Sequence, residues 1–368
     1  MLRRTFAVAS VAIALSMLVA TNAAATLPQR TFVASYGNDA NSCSLTLPCR
    51  GFAAAVVQTL PGGEVVVLDS AGYGPVTIVQ SVSIVAPAGV YAGITVTAGQ
   101  TGVLINGAGV EVVLRGISFQ GLGGDRGAHF VAGKFLEIDR CSFSGFSLEA
   151  VRAEPETTLD LAIHDSSIAR SGSGIWAATA SILIERTTVL NSAQSGIVLT
   201  TAFGGWGPKN VLIRDVTVAG SQFDGLALNT SGGDVSSVTV ESSRFHHNGS
   251  GIIAIPVNGS VLQLSMVNVV SNENRNGIAL WTGAVVPGVL KAYLTRSDIS
   301  ANAQAGIGLE PPNVSLTLDS TTVNGNGWCG ISFTVESTLE TRGNNIVRGN
   351  GFLAGPCNSG VVTPISGF

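Results

Sequence analysis

In the second half of this chain a glycine is followed by an aliphatic residue at seven nearly even positions: Gly174-Ile175, Gly196-Ile197, Gly225-Leu226, Gly251-Ile252, Gly277-Ile278, Gly306-Ile307 and Gly330-Ile331. The intervals are 22, 29, 26, 26, 29 and 24 residues. Self-similarity at such a period marks a solenoid, in which each unit is one coil stacked on its neighbours. A second column agrees, because apolar-rich segments begin at Leu136, Leu159, Ile182, Val211, Val238, Val261, Leu290, Val314 and Leu339. Within a unit a β-branched run such as Ile182-Leu183-Ile184 leads through a polar step to a second apolar position such as Val189. An Asn or Gly turn and the Gly-aliphatic segment follow. This alternation fits three short strands per coil and not a helix of period 3.6.

Charged residues make up only 11% of the chain and there are 46 glycines, as expected where strand backbones pair from coil to coil around an apolar column. Corners between strands need positive φ, so Gly and Asn are expected there. Asn191, Asn248, Asn302, Asn326 and Asn350 fall two or three residues after the second apolar position, placed for their amides to bond from coil to coil. A leucine-rich repeat needs leucines where these columns carry Val, Ile and Thr; left-handed β-helices run on hexapeptides, and propeller blades need about 40 residues. The expected fold is all-β: a single right-handed parallel β-helix, a solenoid of coils of about 25 residues with three short parallel sheets.

Arg3 and Arg4 precede an apolar run from Phe6 to Ala20, and Ala23-Ala24-Ala25 supplies small residues for cleavage. Residues 1–25 therefore read as a signal peptide, 26–75 as an N-terminal cap and 76–368 as the repeat domain, in a secreted or periplasmic protein. No later stretch has the roughly 18 uninterrupted apolar residues of a membrane span. An oxidising compartment suits disulfides between Cys43 and Cys49 and between Cys329 and Cys357, leaving Cys141 as a small buried core residue. His246-His247 is the sole pair hinting at a metal, and it reads as a turn. A net charge of −4 without basic clusters argues against nucleic acid and anionic membrane partners, and a monomer is expected.

The segment before the repeats is more specific. Thr31-Phe32-Val33-Ala34 reads as a strand, Gly37-Asn38-Asp39 as a turn, Arg50 to Val57 as a short amphipathic helix and Pro61-Gly62-Gly63 as its stop. With the coils behind it, this run resembles the N-terminal cap of bacterial secreted right-handed parallel β-helix proteins of the pectate-lyase-like superfamily. The resemblance implies a helix plugging the open end of the apolar column. It also implies a family in which lyases, hydrolases and epimerases act on polysaccharides, beside many members without assigned activity.

In that superfamily the substrate lies along the sheet corresponding to the Gly-aliphatic strands, lined by the outward residue after each aliphatic. Here that column is His129, Arg152, Trp176, Val198, Ala227, Ile253, Ala279, Gly308 and Ser332. Titratable groups gather at one place, where Asp125, His129, Glu149, Arg152 and Glu154 fall on two adjacent coils with Trp176 one coil on. An arginine base beside calcium-holding carboxylates is the lyase arrangement the resemblance implies, so calcium is expected only for a lyase and otherwise no cofactor. The Asp-rich strands of pectate lyases and the paired aspartates of polygalacturonases are absent. Glu149 and Asp224 lie three coils apart, roughly 14 Å, whereas a glycosidic bond needs carboxylates about 5 to 9.5 Å apart. Trp281 and Glu310 are expected to line the groove edge. The expected function is non-catalytic binding of glycans or other surface ligands along the groove; the alternative is a polysaccharide-active lyase, glycoside hydrolase or epimerase.

Overall fold

The computed structural model describes residues 27–154, 159–201, 207–232, 235–283, 286–310, 312–351, 357 and 362–364; the signal-peptide reading of 1–25 lies outside them. Three parallel sheets of 14, 12 and 11 strands wind about one apolar column. One coil shows the plan. Ser181–Glu185 lies in the first sheet, Thr188–Leu190 in the second and Ile197–Thr200 in the third. Each strand pairs in parallel with its counterparts one coil before and after, so a given position is occupied once per coil in a continuous column. Alternate residues of most strands point inward, and the inward set is nearly free of solvent from Val33 to Leu339.

The cap is bonded into the same stack, since Arg30–Val33 pairs in parallel with Gly63–Val67. The helix Phe52–Gln58 lays Phe52, Ala55 and Val56 over the end of the column. Asp39 holds the chain entering that helix: one carboxylate oxygen accepts from the backbone N–H of Arg50 at 2.7 Å and of Gly51 at 2.9 Å.

Both expected disulfides are present. Cys43–Cys49 closes a cap loop, and Cys329–Cys357, 28 residues apart, ties the last coils together. Cys141 is a buried free thiol whose pKa burial pushes up to about 12. Its column mixes the small polar residues Ser166, Thr187, Ser243, Ser297 and Thr321 with Val216 and Val269. Ser166, Ser243 and Ser297 each donate to the carbonyl two residues back and accept a backbone N–H from the preceding coil.

The corners differ from the expected Gly and Asn pattern. Between the first and second sheets the left-handed residues are Gly116, Arg140, Asp165, Arg186, Asp215, Ser242, Asn268, Arg296 and Ser320. At one of these corners coil neighbours pair, Arg186 forming a two-pronged ion pair with Asp165 at 2.7 and 3.0 Å. Asn191 also needs correction. It occupies the second corner with φ +55°, together with His247 and Glu273, and is not part of the amide ladder. The ladder runs one residue later, through Asn248, Asn274, Asn302, Asn326 and Asn350: the Asn248 oxygen accepts the backbone N–H of Ser221, and from Asn274 on each side-chain oxygen accepts from the backbone and amide of the asparagine one coil before.

Candidate functional site

The third sheet carries the Gly-aliphatic strands, and close approach explains the glycines. A Cβ on Gly174, Gly225, Gly251, Gly277 or Gly306 would come 2.3 to 2.6 Å from the carbonyl oxygen of the glycine one coil on. The outward column stacks in the expected order, His129 beside Arg152, Arg152 beside Trp176, and on through Val198, Ala227, Ile253, Ala279 and Gly308 to Ser332.

At its N-terminal end the expected cluster forms, with one member absent and one added. Asp125 turns away, accepting from the backbone of Gly99 at 3.2 Å and lying 3.4 Å from the Ser147 hydroxyl. Arg126, which the sequence reading passed over, takes its place because it starts the strand Arg126–Ala132 directly beside Glu149. Arg126 Nε donates to Glu149 Oε2 at 2.7 Å, and Arg152 donates to Glu149 Oε1 at 2.6 Å. Arg152 also grips both oxygens of Glu154 at 2.7 and 2.6 Å, while His129 Nε2 lies 3.0 Å from Glu154 Oε1. The guanidinium carbon stands 4.1 Å from the centroid of the Trp176 ring. Two arginines thus neutralise two carboxylates, and all four carboxylate oxygens are engaged. Such carboxylates do not fit a calcium site, and among the described residues no group of three or more His, Cys, Asp or Glu is placed to hold a metal.

Burial pushes the His129 pKa below its ordinary value, helped by Arg126 and Arg152 and opposed by Glu154. The hydrogen bond from Arg152 holds the Glu154 carboxyl below its own. Both shifts have the same sign for stability. A histidine with a depressed folded pKa makes the unfolded chain bind more protons as pH falls through 6.5, and the Glu154 contribution, present above 4.5, is lost below it. The melting temperature is therefore expected to be level above about pH 7 and to fall on acidification, with His129→Gln reducing the upper part of the fall and His246, whose pKa burial also lowers, accounting for the remainder there. A melting temperature that rises between pH 7 and pH 5 would contradict this assignment.

A different arrangement occupies the C-terminal half. Trp281 and Glu310 lie side by side on adjacent strands, as expected at the groove edge. On the opposite rim stands Trp328, which the sequence reading missed because it precedes its strand in a turn. Both indoles are open, Trp281 40% and Trp328 46% exposed. They flank a hollow of about 390 Å³ floored by Ile253, Ala279, Gly308 and Ser332 and edged by Asn276 and Gln304. A Cβ on Gly308 would meet nothing within 4 Å, so the glycine leaves space that belongs to the groove and not to the core. Asp224 lies deeper, three coils before Glu310, and its pKa is raised by burial against hydrogen bonds from Ser250 and Ser195. A second cavity, about 600 Å³, opens on the inner side of the strand that carries Ser332, among Leu318, Ile331, Phe333 and Leu339.

The family described as "Right handed beta helix region" matches residues 127–289 and 201–362. The chain belongs to that family. Among the solved structures that share the β-helix are the periplasmic alginate epimerase AlgG, 14% identical over 79% of this chain and 78% of that one with a TM-score of 0.52, and XylC in complex with xylose, 8% identical over 85% and 71% with a TM-score of 0.50. At such identity the likeness is one of fold. No curated protein matches this β-helix significantly.

Proposed function

We propose that this β-helix is an exported, non-catalytic protein that binds glycan chains in the groove between Trp281 and Trp328. One observation carries the reading: two exposed indoles on opposite rims of a shallow hollow whose floor is kept clear by Gly308. The C–H face of a pyranose ring is apolar and packs on an indole, while Asn276, Gln304 and Glu310 offer partners for its hydroxyls. The structural neighbours named for alginate and for xylose agree with a sugar ligand, and the two disulfides agree with export. Against catalysis stands the chemistry of the titratable groups. At the N-terminal cluster each carboxylate is neutralised by arginine, and Asp224 and Glu310 are separated by three coils, roughly 14 Å, too far to act on one glycosidic bond.

Calorimetric titration with a panel of oligosaccharides tests the reading. Trp281→Ala and Trp328→Ala are each expected to weaken binding about tenfold. Gly308→Phe, whose Cβ meets nothing within 4 Å and whose ring would fill the hollow, is expected to abolish it with little change in melting temperature. A ligand that binds equally well to Gly308→Phe would refute this groove.

One observation favours a second reading. A carboxylate can only accept, so His129 Nε2 donates to Glu154 and the other ring nitrogen carries the lone pair of a base. Unsaturated or epimerised product formed by the wild type and lost in His129→Gln would replace binding with catalysis at that end.

A further inference from the structure

Among the described residues that line the hollow between Trp281 and Trp328, Glu310 alone is charged. Trp281 and Glu310 are partners on adjacent parallel strands, so the indole and the carboxylate leave the sheet side by side on one rim. Glu310 is exposed and makes no ion pair with any described residue. Glu149 and Glu154, by contrast, are each gripped by arginine. On the facing rim the backbone N–H of Gln304 donates to the Arg275 carbonyl and that of Trp328 to the Gln304 carbonyl, one coil per step. Arg275 thus stands two coils before Trp328, about 9.6 Å along the column, and does not line the hollow. Lys209 follows the strand Ile197–Thr200, four strands of the sheet before Ile307–Glu310, about 19 Å away.

The face of an indole is the negative side of its quadrupole, so an ammonium group packed on it gains attraction beyond apolar contact. Here a carboxylate without a counter-ion stands beside one indole, and a second indole closes the other side. Gly308 keeps the floor between them open, and the side-chain oxygens of Asn276 and Gln304 can accept from an N–H. An acidic sugar meets the reverse, because its carboxylate would face Glu310 with no lining cation to offset the like charge. A neutral sugar stacks on the indoles and leaves Glu310 without a counter-ion. At about 390 Å³ the hollow falls within the range of about 300 to 1,000 Å³ of small-molecule sites, so this recognition is local to one place in the groove.

Resting on the glycan-binding reading, we propose that the hollow selects a cationic sugar unit, one that carries a free, protonated amino group, with the ammonium held between the Trp281 ring and the Glu310 carboxylate. Glu310 then sets the charge of the ligand, which stacking on indoles alone does not. Acetylation of the amine removes the charge and with it the advantage.

The test is calorimetric titration of the folded protein with β-1,4-linked trisaccharides of glucosamine, N-acetylglucosamine and glucose, and with a triuronate. At about pH 6, where the amines are protonated, the glucosamine trisaccharide is expected to bind about five- to tenfold more tightly than either neutral one. Glu310→Gln keeps the size of the side chain and its capacity for hydrogen bonds while removing its charge. It is expected to bring glucosamine and glucose trisaccharides within about twofold of one another. As Glu310 is exposed, an unchanged melting temperature checks that the fold is intact. Raising the pH to about 9, where the amines lose their protons, is expected to erase the preference in the wild type as well. A glucosamine preference that survives Glu310→Gln, equal binding of the amino and neutral sugars by the wild type, or tighter binding of the triuronate would overturn this selectivity while leaving glycan binding intact. Absence of binding to every oligosaccharide would overturn both.

Discussion

Asn302→Ala is expected to destabilise the protein by about 3 to 5 kcal/mol, measured as a lowered urea midpoint. Asn302 is 1% exposed, and its side chain has no route to water. Its oxygen accepts from the backbone N–H of Asn274 at 3.0 Å and from the Asn274 amide at 3.1 Å. Its amide donates to the Ser271 carbonyl at 3.0 Å and to Asn326 at 2.9 Å. Alanine removes the acceptor of the Asn274 backbone N–H and the amide donor to the Ser271 carbonyl in a dry interior, a loss of about 1 to 3 kcal/mol for each. Ser221 occupies the same column two coils before Asn274, yet its hydroxyl has no hydrogen-bond partner among the described residues. Ser221→Ala is therefore expected to change stability by less than about 0.5 kcal/mol. Equal effects at the two positions would mean that the amide ladder contributes nothing beyond side-chain volume.

Arg152→Ala is expected to cost about 2 to 4 kcal/mol, because Arg152 is the hub through which Glu149 and Glu154 are neutralised. The side chains concerned are only 13 to 31% exposed, so water replaces the lost partner poorly. Trp176 also loses the cation packed on its ring. Arg152→Lys is expected to recover less than half of the loss, since one ammonium cannot hold Glu149 and both oxygens of Glu154 at once. The difference between wild type and Arg152→Ala should shrink as pH falls and Glu154 is protonated. A loss under about 0.5 kcal/mol would place this cluster with ordinary surface ion pairs.

The columns were legible because parallel strands in register place one residue of each coil directly beside its counterpart in the next. A spacing read along the chain is then a distance in space, and His129, Arg152 and Trp176 came together as their spacing implied. The misses share a cause. Asn191 and Ser192 both follow the same short strand, and only the backbone angles show which one turns the corner and which points into the ladder. Asn274 was overlooked for the same reason. Arg126 and Asp125 are adjacent, and the strand start decides that Arg126 meets Glu149 while Asp125 folds back on Gly99. Trp328 lies in a turn, where sequence spacing does not define a face.

By itself, the sequence determined the solenoid, its period and the inward and outward sides of each strand, because these follow from local periodicity and in-register stacking; the short helix and both disulfides were legible from local residue pattern and cysteine spacing. Tertiary structure alone decided the chemistry. Whether Glu149 and Glu154 are free acids or neutralised partners of arginine, and whether Trp281 and Trp328 face each other across open space, depends on how side chains from different coils converge. Side-chain direction at a corner or a rim is set by one or two backbone angles, and no repeat encodes them.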